Sequence, residues 1–238
     1  MSDPIRIGLV GAGAIAQLAH LPVLSKMRDV RLVGLCDNDG PKARALAERF
    51  GVADAFTDID ELLDYEDLDL VVVATPNHLH EAQVLRLLAA KVNVFCERPL
   101  SLSAKGIEKI LAAARKADRK LFVGNNHRFR TDVQLLAGFL ASHELGKLVA
   151  VRAGAYHPRG AIAGWRTSRT EAGGGAFLEH GFALLDLALW LADGSSVTRV
   201  HAHAQRSRGA RAVEAAMLAV LETEDGMSAS FDVSWSYV

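Results

Sequence analysis

The chain has 238 residues, half of them hydrophobic, with 27 basic residues set against 28 acidic ones. That length supports one large domain or two small ones, and the near-neutral balance gives neither nucleic acid nor an anionic membrane an electrostatic footprint. The two cysteines, Cys36 and Cys96, form no disulfide framework and no zinc spacing, which suits a reducing cytoplasm.

Residues 5–24 are apolar enough to imitate a signal peptide. They lack a basic leading segment, and Gly8, Gly11 and Gly13 interrupt them, so they read as folded core. No other run approaches the length needed to span a membrane. Along the first half, IRIGLV, RLVGLC, LDLVVVA, KVNVFC and KLFVG are short runs rich in Val, Leu and Ile. Near-continuous apolar strands of this kind belong to a parallel sheet covered on both faces. Between them KARALAERF, HEAQVLRLLAA and AKGIEKILAAARKA carry apolar residues three and four apart, the spacing of amphipathic helices. Asp58 to Tyr65 predicts a further short helix. Pro22 predicts a break near His20–Leu21 in the first helix. The alternation predicts a doubly wound α/β domain over residues 1–125.

After Gly146 the pattern changes. LVAVRAGAYH, VTRVHAHAQR, VEAAMLAVLET and MSASFDVSWSYV read as antiparallel strands joined by turns, with one helix, GAFLEHGFALLDLALWLA, among them. Residues 126–238 are therefore expected to form an α+β domain with a mostly antiparallel open sheet. RSRGAR, 206–211, reads as a solvated turn between strands. VSWSYV carries a strand pattern straight into the terminus. So small a sheet would leave an edge strand exposed, which predicts a shortened form of a longer protein.

Chemistry concentrates in a few motifs. GLVGAGAIA, 8–16, places Gly11-x-Gly13-x-x-Ala16 between a strand and a helix, where glycines permit a tight turn and let backbone amides approach a pyrophosphate. The next strand ends at Asp37, 21 residues beyond Ala16. A carboxylate there hydrogen-bonds ribose hydroxyls and repels a 2′-phosphate, so NAD is favoured over NADP. A plain structural turn with a surface acid is the alternative. ATPNHLHE, 74–81, and Glu97-Arg98 follow two other strands, at the edge where open α/β sheets bind ligands. Thr75 and Asn77 could equally serve as caps for the next helix, with Pro76 fixing the bend.

In order along nearly the whole chain, GAGAIA, the strand ending in Cys36-Asp37, ATPNHLH, CERPL, GNNHRF, and WR followed by GGG-x-x-x-E resemble the Gfo/Idh/MocA oxidoreductases. The resemblance implies a Rossmann domain, a second α/β domain with a large open sheet, and NAD(P)-dependent oxidation or reduction of sugars, inositols or related polyols. It implies homo-oligomers built through the open sheet face, and members that continue well past Val238. Carried over singly, Gly11, Gly13, Ala14 and Ile15 match the pyrophosphate loop, and Asp37 matches the ribose acid. Thr75, Pro76, Asn77 and His80 match the loop flanking the cofactor, and Glu97 the acid of a Glu-Lys-Pro motif. Asn126 falls in the segment that approaches the nicotinamide, and Trp165 and Arg166 match a pair near cofactor or substrate.

Three positions depart from the family pattern. Its lysine is Arg98, its aspartate is Glu179, and its catalytic histidine is Ala183. Alcohol oxidation needs a group of tunable pKa within reach of the hydroxyl. Lysine can be tuned by burial, whereas arginine stays protonated, so Arg98 can clamp an oxygen and stabilise negative charge but cannot act as base. Glu179 can accept the proton, or act as a cap on the glycine-rich turn. In a regular helix His180 would point about 60° away from position 183, a poor replacement. His201-x-His203 would face one side of a strand, with no third ligand evident and no metal site expected. His127 and Arg128 border either a substrate cleft or an ordinary helix entry. The leading expectation is an NAD-dependent polyol oxidoreductase using Arg98, Glu179 and His180. The alternatives are an NAD-binding protein with impaired catalysis, or a redox-neutral, glycosidase-like enzyme holding NAD.

Overall fold

The computed structural model describes residues 3–65, 68–144, 146–157, 164–206 and 213–235. Contacts divide the chain into two units, Met1–Gly124 and Asn125–Val238.

The first unit is organised by its apolar runs. They form β1 (Ile5–Val10), β2 (Val30–Cys36), β3 (Asp54–Phe56), β4 (Leu70–Val73), β5 (Asn93–Cys96) and β6 (Leu121–Val123). All pair in parallel, in the order β3-β2-β1-β4-β5-β6. Strand order reverses beside β1, so the crevice at the carboxyl ends of β1 and β4 is where such sheets take ligands. Both faces are buried. Val71 and Val73 of β4 join Val94 and Cys96 in a cluster with Val84, Leu87, Leu88 and Ile110. Val72, pointing the other way, joins Ile7, Leu9, Leu21, Leu46 and Ala47. This is why the strands read as unbroken apolar runs instead of alternating ones.

The helices of this unit are α1 (Leu21–Leu24), α2 (Gly40–Phe50), α3 (Ile59–Leu63), α4 (Asn77–Ala89) and α5 (Ala104–Ala117). Side-chain caps start three of them: Asp39 accepts from the Lys42 amide, Asp58 from Asp60 and Ser103 from Gly106. Neither Thr75 nor Asn77 caps α4; the cap position is Pro76, which has no side-chain acceptor. The expected interruption before Pro22 is present as a change of helix type. Ala16–His20 is a π-helical turn, closed by the Leu21 amide on the Ala16 carbonyl, and α1 follows it. β3 was not expected, because three residues with one acid make no recognisable apolar run.

The second unit contains a 3-10 turn (Asn126–Phe129), α6 (Thr131–Ala141), β7 (Ala150–Tyr156), a 3-10 turn (Gly164–Thr167) and α7 (Arg169–Ala172). A π-helical turn (Phe177–Gly181), α8 (Phe182–Leu191), β8 (Val197–Arg206), β9 (Glu214–Thr223) and β10 (Ser228–Ser234) complete it. The sheet runs β7-β10-β9-β8. β8, β9 and β10 are antiparallel neighbours and β7 pairs in parallel with β10, so the sheet is mostly antiparallel, as expected. The helices between β7 and β8 carry the chain back so that β7 and β10 run the same way. One face packs Ala219, Leu221, Ala229 and Phe231 against Ala188, Leu184 and Phe177. Of RSRGAR, only Arg206 falls among the described residues, as does VSWSYV only as far as Trp235. No helix among the described residues is long and apolar enough to cross a membrane.

Candidate functional site

The first unit builds a cradle from three strand ends. β1 stops at Val10, and the Gly11 amide bonds the Cys36 carbonyl at 2.8 Å. Gly11 takes φ +98°, and a Cβ there would stand 2.6 Å from the Ala74 carbonyl oxygen, so no other residue fits. At Gly13 the nearest atom to an added Cβ is 4.0 Å away. Gly13, Ala14 and Ile15 form the exposed rim of the turn. The Gln17 side chain braces that rim by donating to the Ala12 carbonyl at 2.9 Å.

Asp37 ties the end of β2 to the same turn. Its Oδ2 accepts the Ala12 amide at 2.7 Å, and its Oδ1 accepts the Asp39 amide at 3.0 Å and meets Lys42 Nζ at 2.8 Å. Burial alone would raise this carboxyl, but Lys42 and the two amides outweigh it and hold it below the usual aspartate range. Beyond β4, Thr75 donates to Gln83 Oε1 at 2.5 Å, and Thr75, Pro76 and Asn77 are each partly buried.

His80 lies in α4, just after the loop expected to flank the cofactor. It is wholly buried, with Nδ1 2.7 Å from the Pro99 carbonyl and Nε2 2.8 Å from the Thr75 carbonyl. With both nitrogens engaged and no exposed surface, it braces the loops after β4 and β5. Glu97, at the end of β5, points Oε1 at His20 Nε2, 2.8 Å away, and its carboxylate lies against Gly124. His20 also packs edge-on to Phe95. Arg98 follows, half-buried, with a cis peptide to Pro99. His20, Gln17 and Lys42 were missed in the sequence, since their roles depend on the π-helical turn and on side-chain reach that spacing alone does not show.

A dinucleotide fits these residues. The cradle has a glycine where any side chain would collide, open space over Gly13, and an ionised carboxylate at the second strand end.

The second unit gathers the other candidates. Arg128 forks onto Asp186, with Nε 2.7 Å from Oδ2, and stacks over Trp190. Asn125 donates to the same Asp186 at 3.1 Å, while its own Oδ1 is a buried acceptor without a partner among the described residues. Asn126 begins the 3-10 turn beside it. Arg128 is thus committed to Asp186, a residue the sequence reading did not single out. Arg166 lies over the Trp165 ring at 4.5 Å and 3.6 Å from Glu179 Oε1. Glu179 does not cap its helix. His180 stacks on His157 with centroids 4.4 Å apart. Because 177–181 is a π-helical turn, the regular-helix phase used to compare positions 180 and 183 does not hold there. Ala183 is buried. Gly175 ends the triplet where an added Cβ would stand 2.0 Å from the Glu214 carbonyl oxygen. His201 and His203 lie opposite Val220 and Leu218 on the β8–β9 ladder, and no group of three metal-binding side chains occurs among the described residues.

Residues 5–125 match the family profile described as GFO_IDH_MocA, oxidoreductase family, NAD-binding Rossmann fold, and residues 133–238 match the GFO/IDH/MocA C-terminal domain. The chain belongs to the Gfo/Idh/MocA oxidoreductase family. Among curated Gfo/Idh/MocA relatives, it is 31% identical over 210 residues to D-glucoside 3-dehydrogenase of Escherichia coli K12, covering 87% of this chain and 60% of that one. It is 32% identical over 143 residues to myo-inositol 2-dehydrogenase of Thermotoga maritima, covering 60% and 42%. The crystal structure of GenD2 from gentamicin A biosynthesis in complex with NAD superposes with a TM-score of 0.93 at 30% identity, over 100% of this chain and 68% of that one. The chain therefore spans less than two thirds of each of these two dehydrogenases.

Proposed function

We propose that this Gfo/Idh/MocA chain binds NAD in preference to NADP and serves an oxidoreductase that interconverts alcohol and ketone on a sugar, inositol or related polyol. The observation that carries the reading is the joint between Asp37 and the Ala12 amide, which fixes a ribose-binding carboxylate onto a turn only glycine can form. The Escherichia coli and Thermotoga relatives, dehydrogenases of a glucoside and of inositol, support the substrate class.

When bound, the nicotinamide supplies the hydride acceptor or donor. Gly11, Gly13, Ala14 and Ile15 hold the pyrophosphate, and Asp37 holds the ribose. Thr75, Pro76 and Asn77 line the loop beside them, with Asn126, Trp165 and Arg166 as the family-matched residues of the second unit. Glu97 acts through His20, and His80 acts by fixing the loops. Arg98 binds the substrate oxygen and stabilises charge developing there, because a guanidinium donates but does not accept. As hydrogen leaves the carbon with the C–H bonding electrons as hydride, the hydroxyl proton needs an acceptor; Glu179, 3.6 Å from Arg166, is the second unit's candidate for it, with His180 next in the chain. Buried, reduced Cys36 and Cys96 support a cytoplasmic setting. Exposed Leu218 and Val220 support a homo-oligomer through the open sheet face.

The test is Glu179→Gln in steady-state assays over a panel of polyols and keto-sugars. Turnover falls by about a hundredfold or more, while NAD affinity stays as in the wild type. Unchanged turnover would remove Glu179 from the chemistry. A second reading, an NAD-binding protein without efficient catalysis, is favoured by Arg98 and by buried Ala183 where the family has its base. It predicts NAD binding with no cofactor-dependent absorbance change on any substrate in the panel.

A further inference from the structure

Asp37 is more heavily committed than a ribose-binding acid needs to be. An ionised carboxylate offers about four acceptor positions. Ala12 takes one on Oδ2, while Asp39 and Lys42 take two on Oδ1. A ribose hydroxyl therefore meets a carboxylate whose charge is already shared with an ammonium 2.8 Å away. Lys42 sits in the first turn of α2 and is about a third exposed, so its flexible stem can leave Asp37 without disturbing the fold. Arg44, two residues further along α2, lays its guanidinium against Gly40, with Nη1 3.3 Å from where a Cβ there would stand. The nearby Asp39 is occupied as the helix cap. The region beside the ribose acid thus holds two cations, of which Lys42 pairs directly with Asp37.

We propose that Lys42 is a cofactor-selectivity residue: it offsets the repulsion between Asp37 and a 2′-phosphate and, released from Asp37, binds that phosphate with Arg44 alongside. The inference rests on the dinucleotide reading above. Asp37 disfavours NADP, and Lys42 limits how far, so the chain keeps NADP as a weaker second cofactor. Selectivity then resides in the pair and not in the acid alone.

Single and combined variants test this, because a phosphate contact made by Lys42 is lost with Lys42 whether or not position 37 carries its charge. Affinities for NAD and NADP are measured by titration calorimetry on the wild type, Lys42→Met, Asp37→Asn and the double variant. Asparagine keeps an oxygen for the Ala12 amide while removing the charge, and Lys42 is exposed enough that methionine leaves the fold intact. Lys42→Met is expected to raise the NAD-to-NADP affinity ratio about tenfold, the size of one charge-assisted contact. Asp37→Asn is expected to lower that ratio by at least about tenfold, and adding Lys42→Met is expected to cancel most of the NADP gain. A ratio unmoved by Lys42→Met, or an NADP gain in Asp37→Asn that survives it, overturns the role of Lys42 while leaving NAD binding standing. Absence of binding by the wild type to either nucleotide overturns the dinucleotide reading, and this inference with it.

Discussion

A methyl group added at Gly11 would lie 2.6 Å from the Ala74 carbonyl oxygen, on a backbone already at φ +98°. Such a contact forces the turn to move, and the backbone strain alone costs about 1–2 kcal/mol. Gly11→Ala is therefore expected to weaken NAD binding by at least about tenfold in a fluorescence titration, and to lower the urea midpoint. A variant with wild-type affinity would show that the turn does not form the cradle. Asp37 makes a second prediction at this scale. Its folded-state carboxyl is held below the ordinary range by Lys42 and the Ala12 and Asp39 amides, against the opposing effect of burial. The unfolded chain thus binds the proton more readily. The stabilisation is complete above the ordinary aspartate value of about 3.9 and is lost as pH falls through the lowered folded value. The stability difference between wild type and Asp37→Asn, from urea unfolding, should be constant near neutrality and shrink as pH drops below about 4. A difference that grows on acidification would contradict the contacts assigned to Asp37. The turn at Gly11 and Gly13 and the acid at the end of β2 were legible because their placement follows from backbone geometry at fixed spacing. His80 was not, since a histidine in a loop motif looks the same whether it meets a ligand or two carbonyls.

Elements were legible where burial imposes a period. α5 reads from AKGIEKILAAARKA because Ile110 and Ala114, four apart, face the core. Its Ser103 cap accepts the Gly106 amide at 3.0 Å. Ser103→Ala should cost about 1 kcal/mol of stability in urea unfolding, and no measurable loss would mean that the cap does not carry the helix start. α6 went unrecognised because its apolar residues do not follow one buried stripe. Only Val133 is buried, while Leu135, Leu136 and Phe139 stand exposed. β3 was too short to give a pattern. The parallel pairing of β7 with β10 depends on a connection through several helices, which strand composition does not encode. The π-helical turn at Phe177–Gly181 likewise leaves no periodic mark, and it removes the basis for ranking His180 by regular-helix phase.

At the scale of the whole molecule, the two family profiles assign most of the chain to an NAD-binding Rossmann fold and a Gfo/Idh/MocA C-terminal domain. The first unit carries its proposed chemistry in backbone-defined features, whose turn and strand ends could be placed from the sequence. The second unit carries its candidates on side chains whose partners come from distant segments: Arg128 with Asp186, Arg166 with Glu179, and His157 with His180. Those pairs emerge only once the sheet is assembled. Every functional assignment depends on the first unit's cradle, and the most direct measurement is calorimetric titration of the purified chain with NAD and NADP, each in both oxidation states. Saturable binding of one nucleotide per chain, tighter for NAD than for NADP, is the predicted result. Heat indistinguishable from dilution for NAD and NADP in both oxidation states would contradict the account at its base.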